Sequence, residues 1–281
     1  MPIRVVTDSA CDLPDDLVEG FGIEVVPLSI RFGPEELVDR EELTTGDFWK
    51  RLASSDALPE TSAPSAGAFE AAFRKVASEG ATGIVCINLT SRLSATMQSA
   101  KLAATAVEAT VPVEVIDSES ASMGLGNLCV SAATMARDDA GLAAIVADTV
   151  DRRERTRLYG ALDTLEFLKK GGRVGNARAL LGSMLSIKPI IELREGVVEE
   201  GGKVRTRSKA LQFLVERVKE GPVENLAVLQ GACTDTDKLL DALDPIVPRE
   251  QILVGEIGPV IGTHAGPGVI GVTFQVPRGI A

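Results

Sequence analysis

The chain has 281 residues, of which 45% are hydrophobic but only 4% aromatic, and its formal net charge is −11. This length suits one large domain or two ordinary ones, with a core built mainly from aliphatic side chains. The acidic balance argues against a protein that binds nucleic acid or anionic membranes, and no apolar run is long enough for an integral membrane segment.

The first half of the chain alternates short β-branched runs with helical patterns. The run at residues 83–88 is apolar throughout, as in strands that are buried on both faces. Ser65 is predicted to be the N-cap of a helix. The predicted strands are 4–7, 23–27, 83–88 and 113–116, and the predicted helices are 66–78, 95–109 and one that includes 131–137. This alternation predicts βαβ units and a parallel sheet.

The second half has a different order of elements. Glu195 and Gly196 indicate a hairpin. The predicted helices are 162–169, 206–219 and 234–243, and the predicted strands are 187–193, 226–230, 252–256 and 271–276. We therefore expect an α/β protein of two domains. Residues 1–152 would form an N-terminal α/β domain with a parallel sheet, and residues 153–281 a C-terminal α+β domain. The basic segment 151–157 would lie on a connecting helix.

Cysteine usage and the start of the sequence indicate a cellular compartment. The four cysteines are scattered, without a CxxC pair, and are read as small buried hydrophobic residues rather than disulfides or a zinc site: Cys11, Cys86, Cys129 and Cys233. The first residues predict a strand and contain no apolar region of a signal peptide. We expect a cytoplasmic protein.

His264 is the only histidine in the chain, and it lies in a segment rich in glycine and proline, residues 262–268. Histidine titrates near neutral pH, so a single copy in such a segment is a candidate functional residue. The alternative is a turn residue that tolerates unusual backbone angles. A single histidine also excludes multi-histidine metal sites, and no metal is expected.

The common nucleotide-binding and hydrolase motifs are either absent or in the wrong structural context. Residues 266–271 match GxGxxG, but they precede a predicted strand rather than a helix, so the dinucleotide interpretation fails. Neither a Walker loop nor a GxSxG elbow occurs. Asp8 and Asp12 share one loop and are interpreted as turn residues rather than a carboxylate dyad.

Two hydroxyl-rich segments, residues 61–65 and 90–96, lead into predicted helices. Such helix starts present free N–H groups and a positive dipole end to anions. Ser65 and Ser94 are also read as N-caps, which leaves Thr61 and Ser62 without that explanation. Hydroxyl donors together with His264 suit a carboxylate ligand, whereas a phosphate would more usually recruit Arg or Lys.

A basic island lies within the acidic chain. Residues 169–209 contain ten Lys or Arg and four Glu. The island is either a solvated face or a docking surface for an acidic partner, and both interpretations stay open.

Taken together, these segments resemble the DegV family, the fatty-acid-binding subunits of bacterial fatty acid kinase. The resemblance covers essentially the whole chain. It rests on residues 7–14, 61–65, 93–96, 171–174, 185–190 and 257–268. Two positions depart from the family pattern: Ala63 stands where Gln is expected, and Ala95 where Gly is expected.

The resemblance implies that one long-chain fatty acid lies between the two domains, with its tail in an apolar tunnel. Thr61, Ser94 and His264 would bind the carboxylate, with Ser62 nearby. No cofactor is implied beyond this ligand.

The resemblance also implies a partner. A separate fatty acid kinase subunit would phosphorylate the bound acid with ATP, and the acyl phosphate would feed phospholipid synthesis. This chain would then be a carrier and not an enzyme. Arg173 and Arg205 would dock the kinase. Because Arg173 follows two glycines, we expect its loop to be mobile and its side chain to be well exposed. We also expect a monomer.

The rival interpretation is a serine hydrolase acting on a lipid or ester. Its nucleophile would be Ser94 or Ser9, with His264 as the base and Asp8 or Asp117 orienting it. The missing nucleophile elbow counts against it. A third interpretation is an interaction protein with an empty cleft.

Overall fold

The structure is a computed structural model that describes residues 3–55, 57–182 and 187–279. The strands are β1 (Ile3–Asp8), β2 (Glu24–Val26), β3 (Ser29–Phe32), β4 (Glu35–Val38), β5 (Glu60–Ser62), β6 (Gly83–Asn88), β7 (Val113–Asp117), β8 (Thr156–Ala161), β9 (Lys188–Arg194), β10 (Val197–Val204), β11 (Glu224–Gly231), β12 (Leu253–Glu256) and β13 (Val269–Gln275). The α-helices are α1 (Asp15–Phe21), α2 (Thr45–Ser54), α3 (Ala66–Ser78), α4 (Thr96–Val107), α5 (Met123–Arg137), α6 (Leu142–Arg155), α7 (Glu166–Lys170), α8 (Arg207–Lys219), α9 (Thr236–Leu243) and α10 (Pro259–Ala265).

The first sheet is parallel, with strand order β2-β1-β6-β7. Every residue of β6 is buried, because helices cover both faces of the sheet. Ile84 and Cys86 face α3 and α4, whereas Val85 and Ile87 face the core that contains α5. The predicted parallel sheet is therefore confirmed.

The second sheet has six strands in the order β10-β9-β8-β13-β11-β12. Its strand pairs are antiparallel except for β11 with β12. Side chains alternate across the sheet, as they must in strands. Tyr159 and Ala161 of β8 pack in the core under α8 and α9, whereas Leu158 faces the core shared with the first sheet. The expected sheet-rich C-terminal part is confirmed.

A third sheet of three short antiparallel strands, ordered β4-β3-β5, was not predicted from the sequence. Its strands have only three or four residues each, too few to show a clear period of two. Residues 61 and 62, which the sequence indicated as part of a loop before α3, belong to β5.

The chain passes from the first half to the second at the end of α6. That helix ends at Arg155, and β8 begins at Thr156, so the basic segment 151–157 is helical only in its first five residues. The predicted boundary between residues 152 and 153 lies inside α6 and stays a prediction. One hydrophobic core contains residues of both halves, including Val85 of β6 and Leu229 of β11.

Several predicted boundaries moved by one to four residues. The hairpin at Glu195 joins β9 to β10 as predicted. The helix predicted at 162–169 begins only at Glu166. Residues 185 and 186 of the 185–190 segment lie outside the described residues. None of the helices in the described ranges is long and apolar enough to cross a membrane.

Candidate ligand-binding site

Thr61 and His264 meet although they are far apart in the sequence. Thr61 lies in β5 and pairs with Ile30 of β3. Its Oγ1 atom is 3.0 Å from Nε2 of His264. Ser62 follows Thr61 on the strand, so its side chain points to the opposite face. Ser62 is exposed and does not line the cavity described below, so the structure brings Thr61 to His264 but leaves Ser62 outside.

His264 lies in the last turn of α10, and not in the irregular turn expected from the sequence. Pro259 occupies the first turn of this helix, where its missing N–H costs nothing, and Gly266, with φ of 77°, ends it. At Gly262 a Cβ atom would lie 2.6 Å from the Phe48 ring and 2.8 Å from the Trp49 ring. Glycine therefore lets α10 pack closely on α2, which sets the position of His264.

Asp12 anchors the other end of α10. Its Oδ1 atom accepts a hydrogen bond from the backbone N–H of Gly258 at 3.0 Å, and its Oδ2 atom accepts one from Ser122 Oγ at 2.5 Å. Burial raises the pKa of Asp12 to about 7, although these two hydrogen bonds oppose the shift. Asp12 holds the start of the helix that carries His264.

Asp8 holds the loop that carries Ser94. Its Oδ2 atom accepts hydrogen bonds from Leu89 N at 2.8 Å and from Asn88 Nδ2 at 3.1 Å. Its Oδ1 atom accepts one from Ala10 N at 3.1 Å. Burial raises the pKa of Asp8 to about 6. The carboxylate therefore ties the end of β1 to the loop that follows β6.

Ser94 stands just before α4. Its Oγ atom lies 2.8 Å from Thr96 Oγ1 and accepts a hydrogen bond from Thr96 N at 3.3 Å. The helix begins at Thr96, with Ala95 rather than Ser94 at the N-cap position. Ser94 therefore precedes the N-cap position by one residue. Its hydroxyl group still accepts a hydrogen bond from the first residue of the helix, Thr96.

Thr61, Ser94 and His264 line one cavity of about 230 Å³. Small-molecule cavities in proteins usually measure about 300–1,000 Å³, so this one is small. Its walls come from the second sheet, from α10 and from the loops that follow β2 and β6. They are mainly aliphatic and include Leu28, Leu89, Leu158, Ile191, Leu229 and Val260. The cavity therefore has polar groups of three separate elements within an otherwise aliphatic lining.

Arg173 also lines this cavity, which the sequence did not predict. It is half-buried, and its Nε and Nη1 atoms donate hydrogen bonds to the backbone oxygens of Leu93 and Gly171, at 3.2 and 2.7 Å. The expectation of a mobile, well-exposed arginine is therefore wrong. Two bonds to the backbone hold this cation at the cavity.

His264 is neutral at pH 7. Burial, and secondarily the charge of Arg173, lower its pKa to about 4. Its Nδ1 atom is buried and has no hydrogen-bond partner within the described part of the chain. A Cβ atom at position 171 would lie 2.3 Å from that nitrogen, so Gly171 leaves the room that the imidazole occupies. A neutral imidazole offers one N–H donor and one acceptor.

A second, polar cleft of about 430 Å³ lies against the same residues. Thr61, Arg173 and His264 line both spaces, and the cleft adds Glu60 and Lys170. The three shared side chains therefore separate the aliphatic cavity from the polar cleft. A ligand bound at their level would be accessible from the cleft.

Arg205 lies away from both spaces. It is exposed just after β10, and it forms no ion pair with the residues that the structure describes. Other cations of the basic island are paired: Lys170 with Glu166, Lys188 with Asp163, and Arg207 with Asp235. The island thus contains both paired cations and exposed ones.

The geometry does not support the hydrolase interpretation. Ser9 Oγ accepts a hydrogen bond from Leu28 N, Ser94 bonds to Thr96, and Asp117 bonds to Ser91. The partner of His264 is a threonine, and no Ser–His–Asp arrangement occurs within the described ranges. Nor do those ranges contain a cluster of three metal-ligating side chains.

Sequence and structure comparisons give one consistent result. The family model described as "Uncharacterised protein, DegV family" matches residues 2–276. A DegV domain-containing protein of Streptomyces coelicolor is 37% identical over 279 residues, which are 97% of this chain and 98% of that protein.

Two solved structures have the same fold over nearly their whole length. A DegV family protein from Thermus thermophilus, described by its fatty acid binding, has a TM-score of 0.88 and 33% identity, with 98% of this chain and 100% of that chain covered. DegV from Bacillus subtilis, described as a fatty acid binding protein, has a TM-score of 0.85 and 26% identity, with 99% and 100% covered. The chain therefore belongs to the DegV family.

Proposed function

We propose that this protein binds one long-chain fatty acid, with the tail in the aliphatic cavity and the carboxylate at Thr61, Ser94 and His264. The observation that carries the proposal is a small aliphatic cavity that these three polar side chains line, with Thr61 and His264 in contact. The DegV proteins of Thermus thermophilus and Bacillus subtilis, which share this fold, are described as binding fatty acids.

The chemistry of the cavity suits such a ligand. Each methylene group that leaves water contributes roughly 0.8 kcal/mol to binding, so an aliphatic cavity favours a long unbranched tail. A carboxylate leaving water must be hydrogen-bonded or neutralised. Two hydroxyl groups and a neutral imidazole supply hydrogen bonds, and Arg173 supplies a positive charge.

We further propose that the bound acid is presented to a separate fatty acid kinase subunit. A carboxylate oxygen would attack the terminal phosphoryl group of ATP, ADP would leave, and the product would be an acyl phosphate for phospholipid synthesis. The polar cleft supports this step, because Thr61, Arg173 and His264 line it as well as the aliphatic cavity. This chain would hold and present the substrate, and the partner would transfer the phosphoryl group. Exposed Arg205 would belong to the docking surface.

The lipid that accompanies the purified protein provides the first test. Denaturation followed by mass spectrometry should release a long-chain fatty acid in close to equimolar amount. A protein that carries no lipid and also fails to bind added palmitate would exclude the proposal. Covalent labelling of a serine by a fluorophosphonate would instead favour the hydrolase. Phosphorylation requires a second assay, with a cognate kinase and ATP, in which acyl phosphate should form only when all components are present.

A further inference from the structure

The floor of the aliphatic cavity is one face of the second sheet. Along β8 and just beyond it, Leu158, Gly160 and Leu162 line the cavity, whereas Tyr159 and Ala161 pack under α8 and α9. This is the period of two expected for a strand. Position 160 therefore belongs to the cavity face of the sheet, yet it contributes no side chain.

Two glycines lie side by side on this floor. Gly160 of β8 pairs in register with Gly271 of β13. The same row continues to Ile191 of β9 on one side and to Leu229 of β11 on the other. All four residues line the cavity. The row therefore has a bulky side chain at each end and bare backbone in the middle. The bare backbone of the two central strands forms a furrow between Ile191 and Leu229.

The two glycines differ in what a side chain would meet. At Gly271 a Cβ atom would lie 2.5 Å from the backbone oxygen of Tyr159, so glycine is required for the close approach of β8 and β13. At Gly160 the nearest atom would be Cγ1 of Ile191, a side-chain atom, at 3.3 Å. The backbone thus needs glycine at 271, whereas at 160 the observed effect of glycine is to leave space beside Ile191.

The furrow lies beyond the polar end of the cavity. The chain leaves β8 through Leu162 towards α7 and Arg173, and it enters β13 at Val269 shortly after His264. Leu162 and Val269 therefore lie nearest in sequence to the polar residues, Gly160 and Gly271 come next along the strands, and Leu158 follows. Successive rows are two residues apart along a strand, which is roughly 6.6 Å. The distance from one row to the next therefore corresponds to several methylene groups of an extended chain.

We propose that the bare backbone at Gly160, beside Gly271, is where the acyl tail lies against the second sheet, between Ile191 and Leu229, and that position 160 determines the length of chain that the cavity accepts. The inference rests on the proposed binding of a fatty acid. A methyl group at position 160 would narrow the furrow towards Ile191 and hinder passage of the distal tail. A short acid, with less tail beyond the polar end, would be affected less.

The test compares palmitate with octanoate on Gly160→Ala. Palmitate affinity should fall about tenfold, which corresponds to roughly 1.4 kcal/mol, while octanoate affinity changes less than about twofold. The double variant Gly160→Ala/Ile191→Val removes a methyl group from the neighbour of the new one, and it should recover most of the palmitate affinity. Ile191→Ala alone widens the furrow and should shift the preference towards acids longer than palmitate.

Circular dichroism melting of each variant separates a folding defect from a change of specificity. Equal loss of both acids in a folded Gly160→Ala protein, or unchanged palmitate binding, would overturn the inference. If Gly160→Ala does not fold, an unchanged length preference in Ile191→Ala overturns it instead. Failure of the unmodified protein to bind either acid would mean that the proposed function itself fails, which is a distinct result.

Discussion

The hydroxyl group of Thr61 lies 3.0 Å from Nε2 of His264, although 203 positions separate the two residues in the sequence. The contact joins the small antiparallel sheet to the last turn of α10. It places a hydroxyl and an imidazole where one carboxylate could accept hydrogen bonds from both. The proposed function depends on this pair more than on any single motif.

Replacing Thr61 with valine tests the pair most directly. Thr61→Val removes the hydroxyl and keeps a β-branched side chain, so fatty acid binding should weaken by about 1–2 kcal/mol through the lost hydrogen bond. Calorimetry or displacement of a fluorescent fatty acid measures the change. Ser62→Ala is the matched control, because Ser62 is exposed on the opposite face of the same strand. Equal losses in the two variants would rule out a specific role for Thr61.

The protonation of His264 can be followed without ambiguity, because the chain contains no other histidine. Its imidazole proton signals in NMR should titrate with a pKa near 4 in the free protein, since burial and Arg173 disfavour the cation. Bound palmitate should raise this pKa, because a nearby carboxylate stabilises the imidazolium. A value near 6.5 in the free protein, or no change on binding, would contradict the described geometry.

The lowered pKa of His264 also makes the free energy of unfolding depend on pH. The folded pKa of His264 lies below the unfolded value of 6.5, so the unfolded chain binds more protons between about pH 4 and 6.5. The contribution of His264 to the free energy of unfolding is therefore fully present above pH 6.5 and decreases as the pH falls through that window.

Asp39 should show the opposite pH dependence. It is 2% exposed, and burial raises its pKa from 3.8 to about 6. The folded state therefore retains the proton longer than the unfolded state, and the free energy of unfolding falls as the pH rises from about 4 through 6. Asp39→Asn removes that penalty and should be more stable than the unmodified protein by about 1–3 kcal/mol at pH 8.

Urea unfolding at pH 8 and at pH 4 checks this prediction, and the advantage of Asp39→Asn should be small at the lower pH. Asp16→Asn serves as control, because Asp16 is exposed and its replacement tests whether loss of any acidic charge is sufficient. A less stable Asp39→Asn at pH 8 would mean that the ionised carboxylate has a partner role that burial alone does not describe.

Charge reversal at the two arginines proposed for kinase docking should have different effects. Arg173 lines the cavity and is bonded to Leu93 and Gly171, so Arg173→Glu should weaken fatty acid binding as well as acyl phosphate formation. Arg205 is exposed, so Arg205→Glu should lower only the kinase-dependent rate. That loss should shrink at high salt, because exposed charge pairs are screened.

Both activities are measured with a cognate kinase and ATP. Lys101→Glu is the control, since Lys101 is an exposed cation outside the basic island. Unchanged turnover in Arg205→Glu would remove Arg205 from the docking surface. Intact fatty acid binding in Arg173→Glu would mean that its position at the cavity has no role in holding the ligand.

Local patterns alone predicted the first sheet. The apolar run at residues 83–88 and the helix at 66–78 with its Ser65 cap have the same bounds in the structure. Periodicity and capping act over a few neighbouring residues, so they are legible in a single sequence. The candidate residues Thr61, Ser94 and His264 were likewise identifiable by type and by resemblance to a family.

Tertiary structure decided how those residues are arranged. Strand β5 has three residues and exists as part of a sheet because β3 pairs with it, and that pairing turns Thr61 towards His264 and Ser62 away. The backbone bonds of Arg173 to Leu93 and Gly171 hold it at the cavity rather than on a free loop. The cavity depends on contacts between segments far apart in the chain. The sequence alone determined which side chains are candidates for binding, whereas long-range packing determined which of them line the same cavity.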